Sequence, residues 1–200
     1  MPVSEQNRFE VINKRDGTPR SLEARLQRLQ DKEAIHDLMM RYGHYCDAQD
    51  WARVCDLYTD NVERVLTGTL DERVKGKARL LNLYLNPVLP TKDGKKLGAA
   101  VPVGKSKTTV RHMFASPVIR IAADGKQAWL TSYFSLIRSN EKPAGFERHV
   151  HEGTYIFTFV KQGRQWKISK MVVNTEIGHD PGFQPPAKKG AGKKPAKSRR

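Results

Sequence analysis

The apolar residues of this chain change their period once, and only a fold with both helices and a sheet accommodates the two halves. Leu22, Leu26 and Leu29 stand four and three apart, and Ile35, Leu38, Met39, Tyr42, Tyr45 and Cys46 continue at helical spacing. Ser21 reads as a helix cap, Asp31 as the cap of a following segment, and Asp50 as the cap of a short helix reaching Leu57 or Tyr58. Thr59-Asp60-Asn61 stops that helix. A short strand over residues 62–66 follows before Gly68, and another helix over residues 77–85 ends before Pro87. From residue 108 the pattern is rich in Val, Ile, Thr and aromatics. It divides into strands over residues 108–121, 127–138, 147–160 and 165–177, joined at Asp124-Gly125, Pro143-Ala144-Gly145 and Gln162-Gly163. Helices first and a meander afterwards is an α+β order. A curved antiparallel sheet wrapped around N-terminal helices is the simplest way to bury both.

The flanks read differently. Residues 1–20 are polar, broken at Asp16-Gly17-Thr18-Pro19, and read as a flexible leader. Residues 21–179 form one domain, long enough to bury its own core. Residues 180–200 contain Lys188, Lys189, Lys193, Lys194, Lys197, Arg199 and Arg200 among Pro, Gly and Ala. Those seven cations belong to a net charge of +15 and leave +8 on the rest. Such a tail cannot bury a core and reads as a disordered, solubilising segment. A weak, salt-sensitive nucleic-acid contact is the other use of its charge. Residues 87–107, rich in Pro, Gly and Lys, have no period and read as a solvated loop or a lid that steers an anionic substrate. The two cysteines, Cys46 and Cys55, form no CxxC pair, and no apolar run approaches a membrane span or a signal core. The expected location is therefore cytoplasmic, without a membrane contact. No GxGxxG or GxxxxGK[ST] fingerprint implies a nucleotide cofactor, and none is expected.

Three stretches carry a resemblance. They are Ala34-Ile35…Arg41-Tyr42…Asp47…Asp50-Trp51; His112-Met113-Phe114-Ala115-Ser116-Pro117-Val118-Ile119; and Gly153-Thr154-Tyr155 with Gly163-Arg164-Gln165-Trp166-Lys167-Ile168. In this order they resemble the SnoaL-like families of the nuclear transport factor 2-like superfamily, over residues 22 to 178. The layout is most similar to the bile-acid dehydratase, scytalone dehydratase and hexachlorocyclohexane dehydrochlorinase types. The resemblance implies a cone fold with a central pocket. It also implies a catalytic Asp47 at the end of the first long helix, a partner His112 opening a strand, and a catalytic Tyr42. The bile-acid type further uses an Asp where this chain has Ser135, a departure from that pattern.

The chemistry of these side chains suits proton transfer. An imidazole titrates near neutral pH and can take a proton from carbon next to a carbonyl or leaving group. A carboxylate on its other nitrogen orients the ring and stabilises the imidazolium. A phenol can polarise a carbonyl or protonate a leaving hydroxyl. Each residue also has a structural use: Asp47 as a helix terminator, His112 as a satisfied interior histidine, Tyr42 as a core aromatic. His149 and His151 alternate on one strand face with Gly153, Tyr155, Phe157 and Phe159, a candidate pocket wall. His151, Tyr155 and Tyr133 are the expected substrate contacts. A His-x-His metal site is the lesser alternative, and no metal is expected. The expected function is a cofactor-free lyase, dehydratase or isomerase acting on a small apolar, polycyclic or aromatic molecule. The alternative is a non-catalytic ligand-binding or accessory subunit, such as the small subunit of a ring-hydroxylating dioxygenase. Strand 127–138 is apolar on both faces, and relatives are dimers or trimers, so a homo-oligomer is expected.

Overall fold

A computed structural model of the chain describes residues 3–17, 19, 21–68, 72–85, 89–90, 96–97, 108–142 and 145–179. The basic tail, and the lid reading of residues 87–107 apart from one two-residue strand pair, lie outside the described residues.

The helical period produces α2 (Leu22–Asp47), one unbroken helix of 26 residues, with Ser21 capping it by accepting from the Ala24 N–H. Asp31 caps nothing. Its buried carboxylate accepts from Trp166 Nε1 at 3.0 Å and Lys161 Nζ at 2.7 Å. Cap chemistry and burial partners draw on the same short carboxylate, and here the sheet won it. Ile35, Leu38, Met39, Tyr42, Gly43 and Cys46 form the buried face of α2. Leu22, Leu26 and Leu29 do share a face, but that face is exposed. The Asp50 side chain caps α3 (Trp51–Asp56), and Gln49 turns between the helices at φ 57°.

The strands are β1 (Tyr58–Gly68), β2 (Glu72–Lys75), the short pair β3 (Leu89–Pro90) and β4 (Lys96–Leu97), β5 (Thr108–Ile121), β6 (Gln127–Lys142), β7 (Gly145–Gln162) and β8 (Gln165–His179). Helix α4 (Lys77–Leu85) precedes β3. Six strands form one sheet in the order β2-β1-β8-β7-β6-β5. The α+β class stands as read, but the sheet is mixed. β1 runs parallel to β8, with Arg64 opposite Met171, while every other pairing in the sheet is antiparallel. Alternation reports which face a strand buries, not which neighbour it takes, so this pairing had no local signal.

Cross-strand register defines the inner face against α2. His112, Leu136 and His151 form one row, and Phe114, Phe134 and Gly153 the next. Tyr155, Phe157 and Phe159 are all buried on that face. At Gly153, where the β7–β8 register shifts, a Cβ would stand 1.9 Å from the Asn174 carbonyl oxygen. Only glycine permits that backbone approach.

The polar leader is not loose. Its residues form α1 (Val3–Asn13), which lies against β5, β6 and β7. The Arg8 guanidinium lies 4.9 Å from the Tyr133 ring and donates to its hydroxyl, and Lys14 Nζ lies 4.4 Å from the Trp129 ring. Arg120 donates to the Lys14 and Ile12 carbonyls. Outward aromatics of β6 thus bind the leader by its cations, a use of polar residues that composition alone does not reveal. Asp16 completes the attachment, accepting from Arg28 at 2.6 Å, Lys32 at 2.5 Å and the Ile121 N–H at 3.1 Å. Burial alone would raise its carboxyl. The bonds from Lys32, Arg28 and Ile121 outweigh that and hold it at about 2.

Two outcomes are expected. A folded-state carboxyl below its ordinary value stabilises fully above that ordinary value and loses its effect as pH falls. Attachment of α1 should therefore weaken from about pH 4 down to about 2, and Asp16→Asn should remove that part of the acid dependence, read by limited proteolysis across the titration. Gly153→Ala should cost about 3 kcal/mol or more in urea denaturation, because backbone, not a mobile side chain, occupies the space.

Candidate active site

Asp47 is the last residue of α2, and β5 passes directly beside it. Its Oδ1 accepts from the His112 backbone N–H at 3.0 Å, its Oδ2 lies 3.2 Å from the same nitrogen, and His112 Nδ1 stands 2.7 Å from Oδ1. The carboxylate therefore clasps both the backbone and the ring of one residue. Both side chains are mostly buried, at 14% and 9% exposure. A carboxylate only accepts, so the contact orients Nδ1–H toward Asp47 and puts Nε2 on the opposite side of the ring. Gly43 permits the close approach of α2 to β5, since a Cβ there would meet the Phe114 ring at 2.7 Å and the His112 Cβ at 3.4 Å.

Tyr42 lies one helical turn before Cys46 and faces the same interior. Its ring meets His112 edge-on at 6.0 Å, and meets Tyr58, Tyr155 and Phe157 at 6.5, 5.9 and 5.7 Å. Burial pushes its phenol well above the usual value, so it stays protonated and can donate. Burial likewise pushes the Cys46 thiol up to about 12 and the Cys55 thiol to about 11, which leaves neither as a thiolate nucleophile near neutral pH.

The three substrate contacts expected from sequence separate. Tyr155 is buried on the inner face, 5.9 Å from Tyr42, and His151 shares the inner row with His112. Tyr133 is a correction. It points to the outer face, 45% exposed, under Arg8 of α1. Alternation along β6 puts Phe134 and Leu136 inside and their odd-numbered neighbours outside, Ser135 included. Among the described residues, no three His, Cys, Asp or Glu side chains group as a metal site.

Two cavities lie away from the pair. One of about 600 Å³ is lined by Asp31, Arg41, Arg53, Arg164, Trp166 and Lys167 among others. The other, of about 320 Å³, opens on the outer face at Met113, Tyr133, Ser135, Glu152 and Glu176. The surroundings of His112 are instead aromatic side chains. Sequence reading missed Arg64, Tyr58 and Tyr84 in this interior. A lone arginine at the inward position between Val62 and Leu66 was the available signal.

Helices held in a curved mixed sheet, with an acid–histidine clasp where the long helix ends, define an α+β cone fold. The SnoaL-like domain family matches residues 27–172, and the chain belongs to that family. Solved structures agree on the fold. A hexachlorocyclohexane dehydrochlorinase is 16% identical with a TM-score of 0.57, covering 81% of this chain and 98% of its own. A protein provisionally named scytalone dehydratase from Novosphingobium aromaticivorans is 17% identical with a TM-score of 0.58, covering 78% and 91%. An NTF2-like protein with a cystatin-like fold from the same organism is 20% identical with a TM-score of 0.54, covering 77% and 87%. No curated protein matches the sequence. Among the described residues, no helix is long and apolar enough to cross a membrane.

The clasp predicts an order of stabilities. Asp47→Ala leaves a buried N–H and a ring nitrogen without their acceptor and should cost about 2–3 kcal/mol. Asp47→Asn keeps one oxygen for the His112 N–H and should cost less. His112→Ala keeps the backbone bond to Asp47, so thermal denaturation should show a cooperative fold close to wild type, apart from the small cavity left by the ring.

Proposed function

We propose that the protein is a SnoaL-like lyase or isomerase that needs no cofactor and moves a proton with the Asp47–His112 pair. The observation that carries this is the 2.7 Å contact between Asp47 Oδ1 and His112 Nδ1 inside an aromatic enclosure. His112 Nε2 takes a proton from carbon next to a carbonyl, and the electron pair enters the conjugated system. In a dehydration, the bond to a β-hydroxyl then breaks as Tyr42 or the imidazolium supplies the proton that releases water. In an isomerisation, the imidazolium returns its proton to a different carbon. Asp47 stabilises the imidazolium formed in between. The substrate is a small, mainly aromatic or polycyclic molecule, because Tyr42 and Phe114 meet the imidazole and Tyr155 and Phe157 pack on Tyr42 behind them. These rings must turn aside to admit it. His151 and Tyr155 are its proposed contacts. The named relatives, a dehydrochlorinase and a provisionally named dehydratase, support elimination chemistry on this fold without defining a substrate.

A second reading has its own observation. Asp47 also holds the His112 backbone, which is a purely structural use of the carboxylate. On that reading the protein is a ligand-binding or accessory subunit. Deuterium exchange next to the carbonyl of aromatic ketones such as 2-tetralone, followed by NMR, separates the two. Exchange above buffer that is lost in folded His112→Ala and Asp47→Asn is the expected result. Exchange equal in wild type and His112→Ala would defeat the proton-transfer reading.

The homo-oligomer also belongs to this proposal. Leu22, Leu26 and Leu29 expose one stripe of α2, and Met113 and Tyr133 lie exposed on the outer sheet face. Analytical ultracentrifugation at micromolar concentration should show a dimer or trimer, and a monomer would contradict it.

A further inference from the structure

The interior holds a charged group that proton transfer does not use. Arg64 sits on the inward side of β1, between buried Val62 and Leu66, with its side chain 15% exposed. A guanidinium presents five donors in a rigid plane, and burying one requires partners. Arg28 meets it in part: among the described residues its Nε is unpaired too, but its Nη2 donates to Asp16. Asp31 has Lys161 at 2.7 Å and Trp166 at 3.0 Å, and Asp16 has Arg28 at 2.6 Å. Arg64 is different. Its anionic neighbour, Glu72 of β2, stands 3.9 Å from Nη1, too far for a hydrogen bond. Among the described residues, Arg64 Nε and Glu72 Oε2 are both buried without a hydrogen-bond partner.

An aromatic ring lies beside the guanidinium instead. The cation lies 5.6 Å from the Tyr84 ring, which stacks on Trp51 at 4.9 Å. The Tyr84 hydroxyl is 3.2 Å from that of Tyr58, and Tyr58 meets Tyr42 edge-on at 6.5 Å. Tyr42 in turn meets His112. One continuous wall of phenols therefore runs from the cation to the imidazole. Burial works against the charge on Arg64, but Tyr84, Tyr42, Tyr58 and Glu72 raise its pKa above the ordinary arginine value, so it stays charged. Burial also raises the Glu72 carboxyl, only partly offset by Arg64.

We infer that Arg64 anchors a carboxylate carried by the substrate, whose aromatic body lies along Tyr84, Tyr58 and Tyr42 toward His112. A planar carboxylate matches the planar fork through two parallel bonds, and it satisfies the orphaned Nε. The anchor refines the substrate class of the function proposed above and rests on the same interior.

Isothermal titration with 2-naphthoate and its neutral counterpart 2-naphthalenemethanol tests it without turnover. Wild type should bind naphthoate about tenfold or more tightly than the alcohol, the scale of a charge-assisted pair of bonds. Arg64→Gln, if its melting transition is intact, should abolish the preference, and Arg64→Lys should retain part of it. Glu72→Gln removes the competing carboxylate and should tighten naphthoate binding, which keeps the test decisive even if Arg64→Gln does not fold. Equal affinity for both probes in wild type overturns the anchor. So does an unchanged preference in folded Arg64→Gln, or naphthoate binding that Glu72→Gln leaves unchanged or weakens. Asp47→Asn should keep the preference. Loss of proton exchange with the preference intact would remove the chemistry but not the anchor, and the converse result would remove only the anchor.

Discussion

One carboxylate holds the end of the long helix against the first strand of the meander. Asp47 receives a backbone N–H and a ring nitrogen from His112, so a single residue sets both the spacing of α2 from β5 and the orientation of the imidazole. Gly43 one turn earlier lets the surfaces close to that distance. Packing and chemistry are inseparable at this junction. The interaction that would prepare a base is also one that assembles the fold. That is why the backbone bond and the ring bond have to be tested by different substitutions.

The buried charges follow a common rule with one departure. Asp16, Asp31 and Asp47 are each surrounded by donors at hydrogen-bond distance, and each joins elements far apart in sequence: leader to α2 and β5, α2 to the β7–β8 hairpin, α2 to β5. Such pairs add little net energy over apolar packing, yet breaking one is costly, so they specify arrangement more than they add stability. Arg64 departs from the rule because its carboxylate stands beyond hydrogen-bond distance, with the Tyr84 ring beside the guanidinium. The anionic ligand proposed for this interior would supply the partner that Arg64 Nε lacks among the described residues.

Legibility differed by element. Helix α4 and strand β5 match the bounds read from periodicity, because each begins and ends at a strong local signal. Helix α2 was read as two segments because Asp31 looks like a cap until Lys161 and Trp166 are known to lie beside it. The leader looked loose because it is polar, although cations on outward aromatic rings hold it. In the site, Asp47, His112 and Tyr42 stood out by position and by resemblance, and the contact among them is visible only in three dimensions. Tyr133 was placed on the wrong face, although the alternation of β6 already contained the answer. Arg64 was overlooked because its strand was read only over residues 62–66, although β1 spans Tyr58–Gly68.

Period and turn chemistry are local properties, so the chain alone determined its class, the passage from helices to a four-strand meander, and the residues able to transfer a proton. Tertiary structure decided everything that depends on partners distant in sequence. It set β1 parallel to β8, turned Asp31 from a cap into an anchor, docked the leader, and brought the end of a helix to a strand sixty-five residues later. Hydrogen bonds, ion pairs and ring contacts act over a few ångströms, and only folding brings such residues within that reach.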